Sequence, residues 1–307
     1  MATVIAIDHG NSAIKTVNHL FTSGVTQHLA KPPLADELIE YQGSFWTLTS
    51  NRIAYKRNKT KDEQFFILSL FAIAKELKLR GEHSPLLNTV TLAVGLPPEH
   101  YGKGMSDFAA YFKRDGVVQF MYNGTPFAIQ IERVFVYPQA FAATANIAAT
   151  IKSQDRMFVV DIGGMTTDVL LLRKGVPDLS FCRSLECGII TMQNTLIGKI
   201  NAEYDMTLED EHIMAVLQGR ETILPEDVRK SIHAASLQHA ESILDKLREL
   251  GVDLRSNPAI FTGGGALLLR SFIEQSKLVT SAQFIESPNA NAVGYEMMAN
   301  GQLRRAN

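Results

Sequence analysis

Two aspartates, each closing an apolar run and each followed by small residues, mark where this chain has the means to do chemistry. In residues 158–172 the run Phe158–Val160 stops at Asp161. Gly163 and Gly164 follow, then Met165, Thr166 and Thr167, a second carboxylate at Asp168 and another apolar run. This is the pattern of a buried strand, a glycine- and hydroxyl-rich bend and a returning strand. Glycines let backbone N–H groups approach a ligand closely, and successive N–H groups in such a bend form an anion-binding concavity. An ordinary hairpin with a Gly-Gly turn would carry the same residues. Residues 4–17 repeat the grammar, with Asp8 in the place of Asp161, Gly10 of Gly163, Asn11 of Gly164 and Lys15 of Asp168. Two phosphate-type hairpins about half a chain apart imply two similar halves facing one nucleotide.

The totals narrow the classes. The 307 residues suffice for two domains with well-filled cores. An apolar content of 46% with 20% charged residues is that of a globular protein, not a disordered one. A net charge of −2 supplies no basic footprint for direct nucleic-acid contact. The two cysteines, Cys182 and Cys187, have no others to complete a metal set and read as reduced thiols of a cytoplasmic protein. The N-terminus runs into a strand without a basic leader, so no signal peptide is expected. No apolar run reaches the roughly 18–20 residues of a membrane span.

The elements that must position the bends follow from periodicity and punctuation. Residues 3–7 read as the first strand and 14–30 as its returning strands. The stretch from about 31 to 85 reads as a small insertion subdomain, with a basic tract from Arg52 to Lys61 that suits a solvated face, or else a contact surface for another subunit. Within it a helix apolar on nearly all faces starts at Asp62 and ends at Gly81. Residues 89–95 form a strand stopped by Gly95-Leu96-Pro97-Pro98, a helix covers 99–113, and Asn123-Gly124 joins a hairpin by a type I′ turn. After strand 134–136, an alanine-rich helix is expected from Pro138 to about 151. Polar residues 152–156 separate the halves, giving domains 1–152 plus about 288–307 and 153–287. The second half reads as the hairpin, a strand near 178–183, helices at 189–203, from a Thr207 cap, and from Pro225 to Leu250, then strand 259–262 and Gly263-Gly264-Gly265 opening a helix. A strand at 283–286 and a helix over 288–300 close the chain.

In that order the motifs resemble the ATPase fold shared by actin, sugar kinases and seventy-kilodalton chaperones. Within that superfamily the chain resembles the bacterial actin-like ATPases of the ParM/StbA/Alp plasmid-segregation group. The stretches that carry the likeness are 8–15, Gly95-Leu96-Pro97, Pro138-Gln139-Ala140, 161–168, Gly263-Gly264-Gly265 and 289–294. The resemblance implies an α/β protein of two similar, ribonuclease H-type domains flanking a nucleotide cleft. It implies that Gly10, Asn11 and Ser12 wrap one side of an ATP or GTP polyphosphate, and Gly163, Gly164, Met165 and Thr166 the other. Lys15 has the spacing from Asp8 of actin-type first loops and would act as a point charge; a surface lysine on a strand has the same spacing. Asp8 and Asp161 would hold Mg²⁺, mostly through its waters, because that ion keeps its hydration shell.

Gln139 falls where actin-like proteins place the residue that positions the attacking water, although ParM-type relatives can carry a glutamate there. A glutamine orients water but is a poor base, so slow turnover is implied; the same residue also suits a helix start after Pro138. Gly263, Gly264 and Gly265 would bring backbone against adenosine or phosphates at a helix N-terminus. Gly188 matches a glycine near the ribose, and Glu186, Glu241 or Lys246 would contact ribose or base, or else solvent. His9 suits a turn residue near phosphate, with a metal ligand as the other reading. The implied activity is polymerisation driven by nucleotide, with itself and a DNA-bound, ParR-type adaptor as partners, without direct contact to nucleic acid or membrane. A small-molecule kinase or a non-polymerising adaptor ATPase on the same fold is the alternative.

Overall fold

The computed structural model describes residues 2–56 and 58–306; Met1, Asn307 and Arg57 of the basic tract lie outside the described residues. The chain forms two compact units, Met1–Asn146 with Asn289–Asn307, and Ile147–Pro288. The first break falls before the polar 152–156 stretch.

The first unit is built on β1 (Thr3–His9), β2 (Ala13–Lys15), β3 (Leu20–Thr22), β4 (Val25–His28), β5 (Leu38–Tyr41) and β6 (Ser44–Leu48). These are followed by α1 (Gln64–Leu79), β7 (Asn88–Leu96), α2 (Pro98–Phe112), β8 (Val118–Tyr122) and β9 (Thr125–Pro138). They form one sheet in the order β3-β2-β1-β7-β9-β8-β5-β6-β4. β1 runs parallel to β7, and β7 to β9. Parallel strands covered on both faces read as continuous apolar runs, and β1 divides its side chains accordingly. Ile5 and Ile7 pack with Phe66 and Phe71 of α1, while Val4 and Ala6 pack with Tyr295 near the C-terminus. The 31–85 stretch is continuous with this sheet: β5 pairs with β8 through Ile39 opposite Tyr122, and α1 is buried from Phe65 to Ala74. Asn123 and Gly124 have φ of +49° and +75°, as a type I′ turn requires.

The helix expected from Pro138 does not form there. β9 continues to Pro138, the Gln139 N–H extends the pairing by donating to the Leu96 carbonyl at 2.8 Å, and Ala140 is left-handed with φ +61°. The Ala140 N–H donates to Asn291 Oδ1 at 3.0 Å. Long-range pairing and this one side-chain acceptor override the helix propensity of the alanines. A 3₁₀ turn, Ala142–Ile147, follows.

The second unit contains α3 (Ala148–Lys152), β10 (Met157–Ile162), β11 (Thr167–Arg173), β12 (Val176–Leu185), α4 (Ile189–Tyr204), α5 (Asp210–Leu217) and α6 (Glu226–Glu249). It continues with β13 (Ala259–Thr262), α7 (Gly264–Leu268), α8 (Arg270–Gln275) and β14 (Ala282–Phe284). Its sheet runs β12-β11-β10-β13-β14, strand for strand the pattern of β3-β2-β1-β7-β9. The registers agree too: Asp8 lies opposite Lys15 as Asp161 lies opposite Asp168. The fold is therefore α/β with two similar domains, as expected. α5 is preceded by Glu209 rather than capped by Thr207, and the Glu209 N–H donates to His212 Nδ1 at 3.0 Å. α9 (Ala290–Ala306) returns to the first unit and is longer than expected. No helix among the described residues is long and apolar enough to cross a membrane.

Candidate functional site

In the first unit Asp8 is the last residue but one of β1 and is 2% exposed. Its Oδ1 accepts a hydrogen bond from Gln139 Nε2 at 2.9 Å, and Lys15 Nζ lies 3.6 Å from its Oδ2. β1, β2 and the end of β9 thus bring Asp8 and Lys15 of one hairpin together with the distant Gln139. Gln139 reaches Asp8 because it leaves β9 in a turn, not on a helix. Gly10 is needed for the bend's tightness, since a Cβ there would lie 2.7 Å from the Ala13 carbonyl oxygen. Asn11 and Ser12 complete the bend, and the Ser12 carbonyl accepts the Ser23 N–H at 3.2 Å.

His9 belongs to the core and not to the mouth of the bend. Its ring stacks on Phe112 with centroids 4.7 Å apart, and its Nε2 is 2.8 Å from Ser69 Oγ. Burial, with the Lys59 ammonium nearby, holds its pKa well below the ordinary histidine value. The imidazole is packed among Phe65, Phe108 and Phe112. The basic tract is not a uniformly solvated face. Lys56 pairs with Asp62, and Lys59 Nζ turns inward to the His9 carbonyl.

In the second unit the bend from Gly163 to Thr166 is closed by the Gly163 N–H donating to the Thr166 carbonyl at 2.8 Å. The Gly163 and Gly164 carbonyls in turn accept the N–H groups of Ile189 and Ile190 at 3.1 and 2.8 Å, and the Met165 carbonyl accepts that of Gly188 at 3.0 Å. The start of α4 is therefore capped by the bend itself, which satisfies donors that a helix N-terminus otherwise leaves open. Gly188 is required by this contact, because a Cβ there would lie 2.3 Å from the Gly164 oxygen. Asp161 and Asp168 lie directly opposite each other in the antiparallel ladder and so share one face. Thr166 Oγ1 donates to Asp168 Oδ2 at 3.0 Å.

The triple glycine approaches the same hairpin from β13. Gly263 has φ +91°, and a Cβ on it would sit 2.3 Å from Asp161 Oδ1; one on Gly265 would sit 2.7 Å from Ile162 Cγ2. Gly263 and Gly265 thus pack against Asp161 and the bend, whereas a Cβ on Gly264 would meet nothing within 4 Å. Between α4 and α6 a pocket of about 430 Å³ is lined by Glu186, Cys187, Thr191, His239 and Lys246 among others. Glu186 and Lys246, expected to contact ribose, solvent or base, both line it, whereas Glu241 is exposed and does not. His239, not singled out from the sequence, is held below its ordinary pKa by burial and by Lys246. Burial likewise raises the Cys187 thiol. Among the described residues no group of three or more His, Cys, Asp or Glu side chains is arranged to hold a metal.

Residues 6–141 match the family model of the N-terminal domain of actin-like proteins, and residues 159–275 that of the C-terminal domain of the MreB-like archaeal actin homologue. Both halves of the chain are thus actin-like domains. Among solved structures, the archaeal actin homologue Ta0583 is similar with a TM-score of 0.77 at 17% identity, covering 97% of this chain and 99% of its own. Ta0583 has also been solved in complex with ADP. ParM of a 15-stranded filament from Clostridium botulinum has a TM-score of 0.77 at 19% identity, covering 98% of this chain and 100% of its own. The actin-like protein Alp7A has a TM-score of 0.77 at 14% identity, covering 99% and 97%. No curated protein matches by sequence. At these identities the structural likeness establishes the actin-like fold.

Proposed function

We propose that this actin-like protein is a filament former driven by slow hydrolysis of ATP or GTP, working in the cytoplasm in plasmid segregation through a DNA-bound adaptor of the ParR type. The observation that carries the reading is the triad Asp8, Lys15 and Gln139, with Gln139 Nε2 on Asp8 Oδ1 at 2.9 Å, alongside a second hairpin of matching register at Asp161. Ta0583 in its ADP complex and the Clostridium botulinum ParM in its filament support nucleotide binding and self-association as properties of proteins with this fold.

The chemistry follows from the side chains. Gly10, Asn11 and Ser12, and Gly163, Gly164, Met165 and Thr166, offer a polyphosphate backbone donors, and Lys15 adds a point charge. Gly188 and Gly263, Gly264 and Gly265 keep side chains out of the nucleotide's way. Asp161 and Asp168 lie directly opposite in one ladder, where like charges repel, and a hydrated divalent cation beside them would offset that repulsion. Mg²⁺ held mostly through its waters by Asp161, with Asp8, would neutralise charge on the phosphates. With its amide nitrogen committed to Asp8, Gln139 presents Oε1 as an acceptor for a water hydrogen. That orients an in-line water without abstracting its proton, so hydrolysis is slow and serves as a timer.

Filament growth needs a heterologous contact that does not close on itself. Sedimentation and light scattering with Mg²⁺ and ATP, GTP or ADP test the reading: nucleotide-dependent polymer is expected. A protein that stays monomeric with every nucleotide at tens of micromolar is not a filament former. Asp161→Ala should abolish or greatly slow hydrolysis, and normal turnover in that variant would remove Asp161 from the site.

A further inference from the structure

Behind the first bend, carbonyl groups are taken one after another by donors from outside it. Lys59 Nζ donates to the His9 carbonyl, and Ser23 Oγ donates to the Gly10 carbonyl at 2.6 Å. The Ser23 N–H reaches the Ser12 carbonyl at 3.2 Å. These donors are themselves anchored. Ser23 is fully buried, and its carbonyl accepts the Ile53 N–H at 2.8 Å. The Gly24 carbonyl accepts the Thr49 N–H at 3.2 Å, and a Cβ on Gly24 would lie 2.3 Å from the Asn51 oxygen. The Lys59 ammonium sits 5.3 Å above the Phe65 ring.

The electrostatic consequence is specific to anion binding. A bend that presents N–H groups to phosphate oxygens must keep its own carbonyl oxygens turned elsewhere, since these repel an anion as the N–H groups attract it. Three carbonyls of this bend, from residues 9, 10 and 12, are satisfied from behind, one of them by a cation. A charge-assisted bond of this kind is stronger than a neutral one.

We propose that Lys59 and Ser23 are positioning residues of the polyphosphate site: they hold the first bend in its anion-accepting form from behind, by way of carbonyls at residues 9, 10 and 12. The segment after β6 thereby becomes part of the binding apparatus without supplying a ligand to the nucleotide. This rests on the nucleotide reading above. Lys59→Met keeps the length of the side chain and removes its donor, and Lys59→Arg restores a donor and the charge.

The test is equilibrium binding of Mg-ATP and Mg-ADP to the full chain, with thermal unfolding measured without nucleotide. Lys59→Met should raise the dissociation constant about tenfold, while lowering the unliganded midpoint by less than about 3 °C. Lys59→Arg should restore most of the affinity. Ser23→Ala, which keeps its backbone bonds, should weaken binding in the same direction and serves if Lys59→Met fails to fold. Wild-type affinity in both Lys59→Met and Ser23→Ala overturns the inference, as does weak binding in Lys59→Met that Lys59→Arg leaves unrepaired. A wild-type protein that binds neither nucleotide is a different result: it removes the proposed function itself.

Discussion

Gln139 is the residue whose chemistry depends most on its surroundings. A glutamine has a donor end and an acceptor end, and the Asp8 carboxylate accepts only from the first. Removing the side chain should cost orientation of the water and leave phosphate contacts intact. Gln139→Ala is therefore expected to lower kcat by about a hundredfold with a small change in KM, read from steady-state phosphate release. An equal loss in kcat and nucleotide affinity would show that Gln139 acts on binding instead. Lys15 sits on the other side of Asp8, so its removal belongs to binding: Lys15→Met should raise KM more than it lowers kcat.

At the scale of elements, α1 is tied to its neighbours by a polar network inside an apolar helix. Glu76 is fully buried and accepts from Thr16 Oγ1 at 2.5 Å, from the Asn18 N–H at 2.9 Å and from Arg80 Nε at 2.7 Å. Arg80 also reaches Glu296 of α9 at 2.7 Å and the Val4 carbonyl at 3.1 Å. Burial pushes the Glu76 carboxyl up, but the bonds from Thr16 and Asn18 and the charge of Arg80 bring it to a net value below its ordinary 4.5. A carboxylate with a depressed folded pKa stabilises the native state above the unfolded value, and that contribution fades as pH falls through the folded one. The midpoint of the first unit should therefore fall as pH drops below about 4.5, and Glu76→Gln should flatten that part of the profile. Glu76→Ala, which removes the buried partner of Arg80, Thr16 and Asn18, is expected to cost about 3 kcal/mol in chemical denaturation.

A second element-scale expectation concerns close packing. Gly95 lies where a Cβ would be 1.9 Å from the hydroxyl of fully buried Tyr295, and Gly188 where it would be 2.3 Å from the Gly164 oxygen. Gly95→Ala must move α9 against β7 and should destabilise the first unit by about 1–3 kcal/mol. Gly188→Ala must instead displace the second bend from the start of α4, so nucleotide affinity should fall more than stability does. Parallel denaturation and binding curves distinguish the two.

For the whole molecule, each unit has a hydrophobic core of its own, one around β10 and α6 and one around β1 and α1. Calorimetry without nucleotide should accordingly resolve two unfolding transitions. A ligand stabilises the unit it binds by mass action, so on the function proposed above saturating Mg-ATP should raise both midpoints. A rise confined to one transition would assign the ligand to one unit.

The sequence by itself determined the repeated strand-bend-strand units at Asp8 and Asp161, the type I′ turn at Asn123-Gly124 and the two-domain α/β class, because these depend on local spacing and on alternation of apolar runs with small residues. Tertiary structure decided what local pattern leaves open. Pairing with β7 drew Pro138 and Gln139 into a strand end where alanine content favoured a helix, and so brought Gln139 to Asp8. Sheet pairing through β8 made β5 and β6 continuous with the first unit, and an aromatic cluster took His9 into the core. Lys59 read as one charge in a basic tract until the fold turned it onto the His9 carbonyl. Each of these rests on partners distant in the chain, and no window of neighbouring residues contains the energy of a contact made across tens of positions.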